Sequence, residues 1–447
     1  MKKGILEIKT LTSGPKHHLF GFHDLCAWNH NNDRLLAIEV DSILTPPDPK
    51  LAYTLGYVDV NNRFIPFGFT HAFNYPQGAR QQWIADTNQV IVNDIQNNRI
   101  ISKIYDTDTC RLNDTLDYPT HIVTDEGWAF GLDYARLFRL GAYGYAGTED
   151  KTIGIDAPKE SGIIKHNIYT KEHQLLLSVH EIAHFKMDSK AGKHHYITHL
   201  VLSPDQQRIA FLHRYKLSDG GETTRLCTIG IDGNDLRCLA VGFLSHFDWK
   251  DNTHLMIWGR TGSTVEKFRE SVFYRLIPKK PLQIGKELIK KALKQSAGSG
   301  VSPFHWLCIS DEDIPVTAFI GEGFIPEDGH PMFCPTNRDW FVCDNYPDHN
   351  GIRTLFLFNT SLNQRIDLGR FKMIDTKPDL ASSQILLSST DPELLKLVGL
   401  EALAFNRSGL HCDLHPRWSP DGTKVAFDSI HKGTRQIYSC KVQNLIL

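Results

Sequence analysis

The chain has 447 residues, 41% hydrophobic and 22% charged, with a formal net charge of −2 at pH 7. That balance fits a folded chain with a sizeable core, and gives no electrostatic case for binding nucleic acid or an anionic membrane surface. Nine cysteines without a C-x-x-C pair do not read as a disulfide framework, and no stretch approaches the roughly 20 apolar residues that span a bilayer.

The first ten residues start like a signal peptide, but Glu7 and Lys9 interrupt the apolar run, so the expected location is the cytoplasm. Ile5 to Thr12 reads as a strand with no turn partner nearby. A template then recurs: an aromatic or aliphatic anchor, a polar turn, and an apolar strand. It begins at Trp28, Trp83, Val123, Leu202, Trp249, Phe333 and Trp418. The last copy, from His411 to Ser429, is the clearest, because Ser-Pro-Asp-Gly supplies its turn. Less regular strand pairs follow several copies. Short strands repeating at roughly 40–50 residues predict a β-propeller. The expectation is an all-β, seven-bladed propeller filling residues 1–447 as one domain. Its N-terminal strand completes the last blade, which would leave no free sheet edge.

Insertions interrupt the repeat. Leu44–Lys50 is a Pro-rich loop, and Asp133–Lys151 is a long segment rich in Tyr and Arg, without strand character. Residues 261–302 are expected to form a helical insertion in the fifth blade, with helices over Thr264–Leu276 and Leu282–Gln295. Pro392–Ala404 reads as a further helix capped by Asp391.

Three positions before each anchor stand Leu25, Arg80, Thr120, His199, His246, His330 and His415. Four of the seven are histidine, and the innermost strands of a propeller face one axis, so this register predicts a ring of imidazoles. Neighbours thicken it: His23 with Asp24, His121, His194 with His195, and His411 with Asp413. His411, Asp413 and His415 alternate along the entry to the last hairpin, which puts them on one face of a strand. Two chemistries suit such a set. Neutral imidazoles with a carboxylate hold a divalent transition metal. Imidazoles with Arg80 also make a metal-free acid–base and anion site. Structural histidines between blades, in a propeller that only binds a glycan or a protein, are the competing reading. No G-x-S-x-G elbow is present to indicate a serine hydrolase.

Gly329-His330-Pro331, followed by the H-x-D-x-H-P-x-x-S-P-D-G stretch from His411 to Gly422, resembles the oligogalacturonate lyases. The Ser-Pro-Asp-Gly hairpins resemble TolB-like propellers more broadly, and ulvan lyases share the architecture. The resemblance implies a cytoplasmic propeller enzyme with a manganese-type site of histidines and a glutamine on its last two blades. It implies β-elimination on an acidic, uronate-containing oligosaccharide. His330 and His415 fall on two of the family's metal histidines. Asp413 stands where that family has its third histidine, and Leu410 where it has glutamine. The implied metal set is therefore His330, His411, Asp413 and His415, with Mn2+ as the expected ion. Position suggests Arg80, His199, His246 and Tyr134 for catalysis, and His23, His195, Arg136 and Tyr143 for holding substrate.

Overall fold

The computed structural model describes residues 7–186, 192–217, 221–261 and 304–446. The expected helices of the 261–302 insertion lie outside them. Strands dominate, arranged as antiparallel sheets that are mostly four-stranded. Six of the seven expected hairpins are present as paired strands, and in the first Trp28 meets Leu35 in an isolated antiparallel bridge.

Local chemistry accounts for the hairpins. In the last one, Ser419 Oγ donates to Asp421 Oδ1 at 2.5 Å, Thr423 N donates to the same oxygen at 3.0 Å, and Lys424 N donates to Ser419 Oγ at 3.0 Å. Gly422 supplies the φ of +67° that this turn needs. Ser203 and Asp205 repeat the device in another hairpin, with Ser203 Oγ donating to Asp205 Oδ1 at 2.6 Å and Arg208 N donating to Ser203 Oγ at 3.0 Å. The aromatic anchors have a second role. The indole N–H of Trp83 donates to Ala27 O at 3.0 Å, that of Trp249 to Val201 O at 3.1 Å, and that of Trp418 to Met332 O at 2.9 Å. Each tryptophan thus staples its hairpin to the entry segment of an earlier one, satisfying a polar atom that burial would otherwise strand.

The chain divides into two compact units, residues 1–151, 163–175 and 327–447 in the first and 152–162 and 176–326 in the second. The first unit contains a sheet of His17–Leu19, Leu35–Val40, Tyr53–Val58 and Phe64–Thr70, in that order. It also contains the sheet Met332–Phe333, Trp340–Asp344, Ile352–Asn359 and Gln364–Lys372. The final sheet has the order Ile8–Thr10, Gln436–Lys441, Lys424–Ser429 and Arg417–Trp418. Ile8 faces Cys440 and Thr10 faces Tyr438. The N-terminal strand therefore does complete the last sheet, with Phe427, Tyr438, Trp418 and Leu414 in the apolar core beneath.

In the second unit one sheet has seven strands, running from Lys193–Leu202 to Thr317–Ile320. Its middle strand, Arg237–Trp249, is 13 residues long. Up to Gly242 it pairs with Glu222–Gly230, and from there on it pairs with His254–Thr261, with a register shift between Leu244 and Phe247. One continuous strand thus serves two hairpin systems.

Two expected loops and helices differ in detail. The Asp133–Lys151 segment opens with a short helix, Tyr134–Arg139, capped by the Asp133 carboxylate, which accepts from Arg136 N at 3.0 Å. The single helix expected over Pro392–Ala404 is two, Pro392–Val398 and Leu400–Arg407, divided at Gly399 with φ of +85°. Asp391 gives its backbone carbonyl to Leu395 N at 3.0 Å, and its carboxylate lies 3.4 Å from Arg139.

Candidate metal centre

The last sheet and the Met332–Lys372 sheet bring His330, Asp413 and His415 together. One donor atom from each lies within 4.8 Å of the others, and this is the one such group of three or more His, Cys, Asp or Glu among the described residues. His330 Nε2 stands 3.8 Å and His415 Nε2 3.7 Å from Asp413 Oδ2. The two rings meet edge to face with centroids 4.4 Å apart. All three side chains are buried.

Each imidazole is held by its other nitrogen. His330 Nδ1 lies 2.8 Å from Asp344 Oδ1, which also accepts the His330 backbone N–H at 2.9 Å. The second Asp344 oxygen accepts Leu414 N at 2.9 Å, so one buried carboxylate fixes both halves of the site. Gly329 permits this approach, because a Cβ there would lie 1.8 Å from Asp344 O. His415 Nδ1 lies 3.0 Å from Gly21 O, a carbonyl that also accepts from Arg417 at 2.6 Å. A carbonyl only accepts, so His415 Nδ1 carries the proton and Nε2 the lone pair. That Nε2 is buried with no hydrogen-bond partner.

His415 has φ of +42°, and the register-equivalent Arg80 and His199 have +55° and +57°. Left-handed backbone costs a non-glycine residue about 1–2 kcal/mol. It falls just before the first strand at Arg80 and His415, and at the register irregularity inside Lys193–Leu202 at His199, a common device for turning these side chains. The same backbone explains why residues 411–416 are not the regular strand entry expected from their alternation, since the strand begins at Arg417.

Electrostatics divide the three donors. Burial opposes ionisation of Asp413, but His411, Arg353 and His330 hold its carboxyl well below the usual range. Burial lowers the His330 pKa, yet Asp344 and Asp413 together raise it above the ordinary value. Burial, with His330 nearby, pushes His415 well below it. The site thus combines a committed carboxylate, a committed neutral imidazole, and a second imidazole whose charge depends on what else is bound.

The other residues singled out in the sequence fall in several places. His23 joins the cluster: its Nδ1 is 2.7 Å from Pro331 O, and its ring lies 5.4 Å from His330 and 6.1 Å from His415. Phe22 packs beneath, 4.9 Å from the His415 ring and 6.2 Å from Tyr143. His411 is beside Asp413 but outside the three-donor group. Its Nε2 is 3.5 Å from Oδ1, the oxygen that Arg353 also holds at 2.5 Å. Arg80 is fully buried and grips Asp24 with two bonds of 2.8 and 3.0 Å, and its Nε and Nη2 both donate to His121 O. Tyr134 is buried, with its hydroxyl 2.8 Å from His121 Nδ1, and its ring stacks on Tyr145. Arg136 is buried near Asp150, at 3.9 Å. His195, His199 and His246 belong to the second unit, where His195 Nδ1 meets His213 Nε2 at 3.0 Å.

Sequence reasoning passed over Asp344, Arg353 and Tyr346. A signal for the first exists: the apolar strands VIVND, WFVCD and VAFDS each carry an aspartate near the end. Each accepts a backbone N–H from an entry segment, Asp94 from His71 at 2.7 Å, Asp344 from His330 at 2.9 Å and Asp428 from Phe20 at 3.3 Å. A second unread pattern is His180-Glu181-Ile182-Ala183-His184 on the helix Val179–His184, which has the spacing of zinc-peptidase helices. There Glu181 closes a capping box with Ser178, and no third donor joins the histidine pair among the described residues.

The donor set passes the test for a divalent cation. It offers two imidazoles and a carboxylate, an orphaned buried nitrogen on His415, and a carboxylate behind His330 in the manner of metal-binding histidines. The 3.7–3.8 Å gaps are too long for hydrogen bonds and a little wider than the roughly 3.4 Å edge of a tetrahedron with bonds of about 2.1 Å.

No family model matches the chain, and no curated protein matches it in sequence. In structure it is similar to an oligogalacturonate lyase from Vibrio parahaemolyticus, with a TM-score of 0.57 and 11% identity over 100% of this chain and 96% of that one. It is equally similar to an oligogalacturonate lyase in complex with manganese, with a TM-score of 0.58 and 13% identity over 98% and 94%. The likeness is one of fold. Leu410, where the resemblance calls for a glutamine, is buried in an apolar cluster with Ile43 and Tyr75, so the donor set of this chain is its own.

Proposed function

We propose that this protein is a carbohydrate-active lyase that cleaves acidic, uronate-containing oligosaccharides by β-elimination in the cytoplasm, on a seven-bladed propeller, with a divalent metal, Mn2+, as cofactor. The observation that carries the reading is the convergence of His330 Nε2, His415 Nε2 and Asp413 Oδ2, with both imidazoles oriented from behind.

Those three residues would hold the ion. Bound there, it supplies positive charge that neutralises a uronate carboxylate and makes the adjacent C–H more acidic. The protein does the rest. Asp344 fixes the His330 ring, and Gly21 O fixes that of His415. His23 directs Nδ1 at Pro331 O, which leaves Nε2 as the basic nitrogen; it is placed to take the proton at C5. The half-buried Tyr143, Tyr346 and His411 form the rim nearest the donors, where sugar rings would pack. Tyr143 is the rim hydroxyl suited to protonate the departing glycosidic oxygen. Arg80 and Tyr134 stand outside this set, Arg80 engaged with Asp24 and His121 O and Tyr134 with His121.

The test is incubation of the purified protein with a panel of acidic oligosaccharides, reading the ultraviolet absorbance of an unsaturated uronate. Mn2+ addition should raise the signal and a chelator should abolish it. Bound metal should drop from about one ion per chain to none in His330→Ala and His415→Ala. Wild-type protein that retains no divalent metal and yields no unsaturated product sinks the proposal.

A further inference from the structure

The second unit contains a charge that its surroundings leave unbalanced. Arg225, on the strand Glu222–Gly230, is fully buried. Its Nη1 donates to Ile182 O at 2.9 Å and its Nη2 to Phe185 O at 2.8 Å, carbonyls at the end of the helix Val179–His184. Its remaining neighbours are His213 Nδ1 at 3.4 Å and Cys238 Sγ, to which Nε donates at 3.3 Å. Burial, Arg225 and His195 all keep His213 neutral. No carboxylate lies within ion-pair distance of Arg225 among the described residues. Buried guanidinium groups are paired as a rule, and two carbonyl dipoles offset only part of a full charge. The group in place to supply the anion is the Cys238 sulfur.

A second cysteine stands directly across the sheet. Cys227 and Cys238 are register partners of adjacent antiparallel strands, at an irregularity just after Leu226. Cys227 is buried and Cys238 only partly so, which gives the latter access to solvent. The neighbouring Cys227 thiol, opposed by burial and aided by Arg225 and Lys186, lowers the Cys238 thiol to about 6, while burial and Cys238 push Cys227 well up. A low-pKa, partly exposed thiolate beside a protonated partner thiol is the arrangement of reversible redox pairs.

We infer that Cys238 is a peroxide-reactive thiolate, with Arg225 as its buried counter-ion and Cys227 as its resolving thiol. In the first step the Cys238 thiolate attacks one oxygen of a hydroperoxide. An S–O bond forms, the O–O bond breaks, the sulfur is oxidised by two electrons, and the departing oxygen takes a proton and leaves as water or an alcohol. In the second step the Cys227 sulfur attacks the Cys238 sulfenic acid. The S–S bond forms, the S–O bond breaks, and the hydroxyl leaves as water with the Cys227 proton. Opposed residues have Cβ atoms about 4.5–5.5 Å apart, against about 3.5–4.5 Å in a disulfide. The irregularity at Leu226 is where the strands can absorb that closure.

The experiment uses the full-length, reduced protein. Iodoacetamide alkylation is followed across pH 5 to 9 by peptide mass spectrometry, with glutathione in the same tube. The midpoint for Cys238 should fall about 2 units below that of glutathione, whose thiol is an ordinary one near 8.5. Hydrogen peroxide at pH 7 should then yield a Cys227–Cys238 cross-linked peptide in wild type. Cys227→Ser should instead yield a dimedone adduct on Cys238, and Cys238→Ser should yield neither. An alkylation midpoint for Cys238 equal to that of glutathione overturns the inference. So does peroxide that oxidises the exposed Cys110 while Cys238 stays reduced.

Discussion

Two buried carboxylates in the first unit, Asp24 and Asp413, look alike in the sequence and differ in what surrounds them. Asp24 is gripped by both terminal nitrogens of Arg80, at 2.8 and 3.0 Å, and the same guanidinium is held by His121 O. That is a closed ion pair, with a bidentate fork on both carboxylate oxygens and a single imidazole nitrogen, of His121, further off at 3.9 Å. Asp413 has one guanidinium nitrogen, of Arg353, on Oδ1, and two imidazoles standing off Oδ2 at 3.7 and 3.8 Å. Its Oδ1 makes no well-aligned hydrogen bond despite the 2.5 Å approach of Arg353. The first arrangement is complete as it stands. The second is a set of acceptors turned toward one another, which is stable only with a cation among them or with a proton on His330. A closed pair holds strands together; an open one holds a ligand.

The difference is measurable, and stability shows it most strongly. Asp24→Ala leaves a fully buried Arg80 without its anion and should cost about 3–5 kcal/mol in denaturant unfolding. Asp413→Ala, measured without metal, should cost less, about 1–3 kcal/mol, because a single guanidinium nitrogen reaches Asp413 and the variant also removes a buried charge that the two imidazoles at 3.7 and 3.8 Å leave unsatisfied. Equal losses would make the Asp413 cluster a structural ion pair like the other one, and would break the comparison. The next effect is on binding. Asp344→Asn keeps an acceptor oxygen but loses the charge behind His330, so Mn2+ affinity should weaken about 10–100-fold. Asp94→Asn alters the matching clamp on His71, 3.3 Å away through Nδ1, and should leave Mn2+ affinity unchanged. Titration of Mn2+ into both variants sharpens the contrast between a clamp that serves a site and one that serves only the sheet.

How much of this was legible in the sequence follows from which forces act locally. The hairpins were, because turn chemistry and alternation are short-range, and so was the strand at Ile8, whose lack of a local partner pointed to a distant one. His330 and His415 were legible by register, since equivalent positions of a repeat share an environment, and Asp413 by its alternation with His415. Register alone could not separate Arg80 from His415. Both have positive φ and both occupy the same place in their hairpins, but Arg80 has Asp24 as a partner from another segment, and pairing across segments leaves no periodic trace. His411 illustrates the opposite failure. Alternation on a strand would place it with Asp413 and His415, but the backbone before Arg417 is irregular, and the His411 ring stacks on Phe405 with centroids 5.9 Å apart. Asp344 and Arg353 went unread because the chain places them at strand ends, where a charged residue is ordinarily a solvated one.

The smallest expected effect is also the cleanest test of whether the two regions are independent. Arg80→Lys keeps the positive charge beside Asp24, so no buried anion is orphaned. An ammonium is a point charge, however, and cannot present the planar fork that meets both Asp24 oxygens while also reaching His121 O. The variant should lose about two of the four charge-assisted hydrogen bonds and about 1–2 kcal/mol of stability, read from the denaturant midpoint. Its Mn2+ affinity and its pH profile should match wild type, because Arg80 has no contact with His330, Asp413 or His415 among its hydrogen bonds and ion pairs. A tenfold loss of Mn2+ affinity in Arg80→Lys, as large as that from Asp344→Asn, would show that Asp24 and Asp413 report on one coupled network. The closed pair would then be part of the site, and the register that singled out Arg80 in the sequence would carry functional information after all.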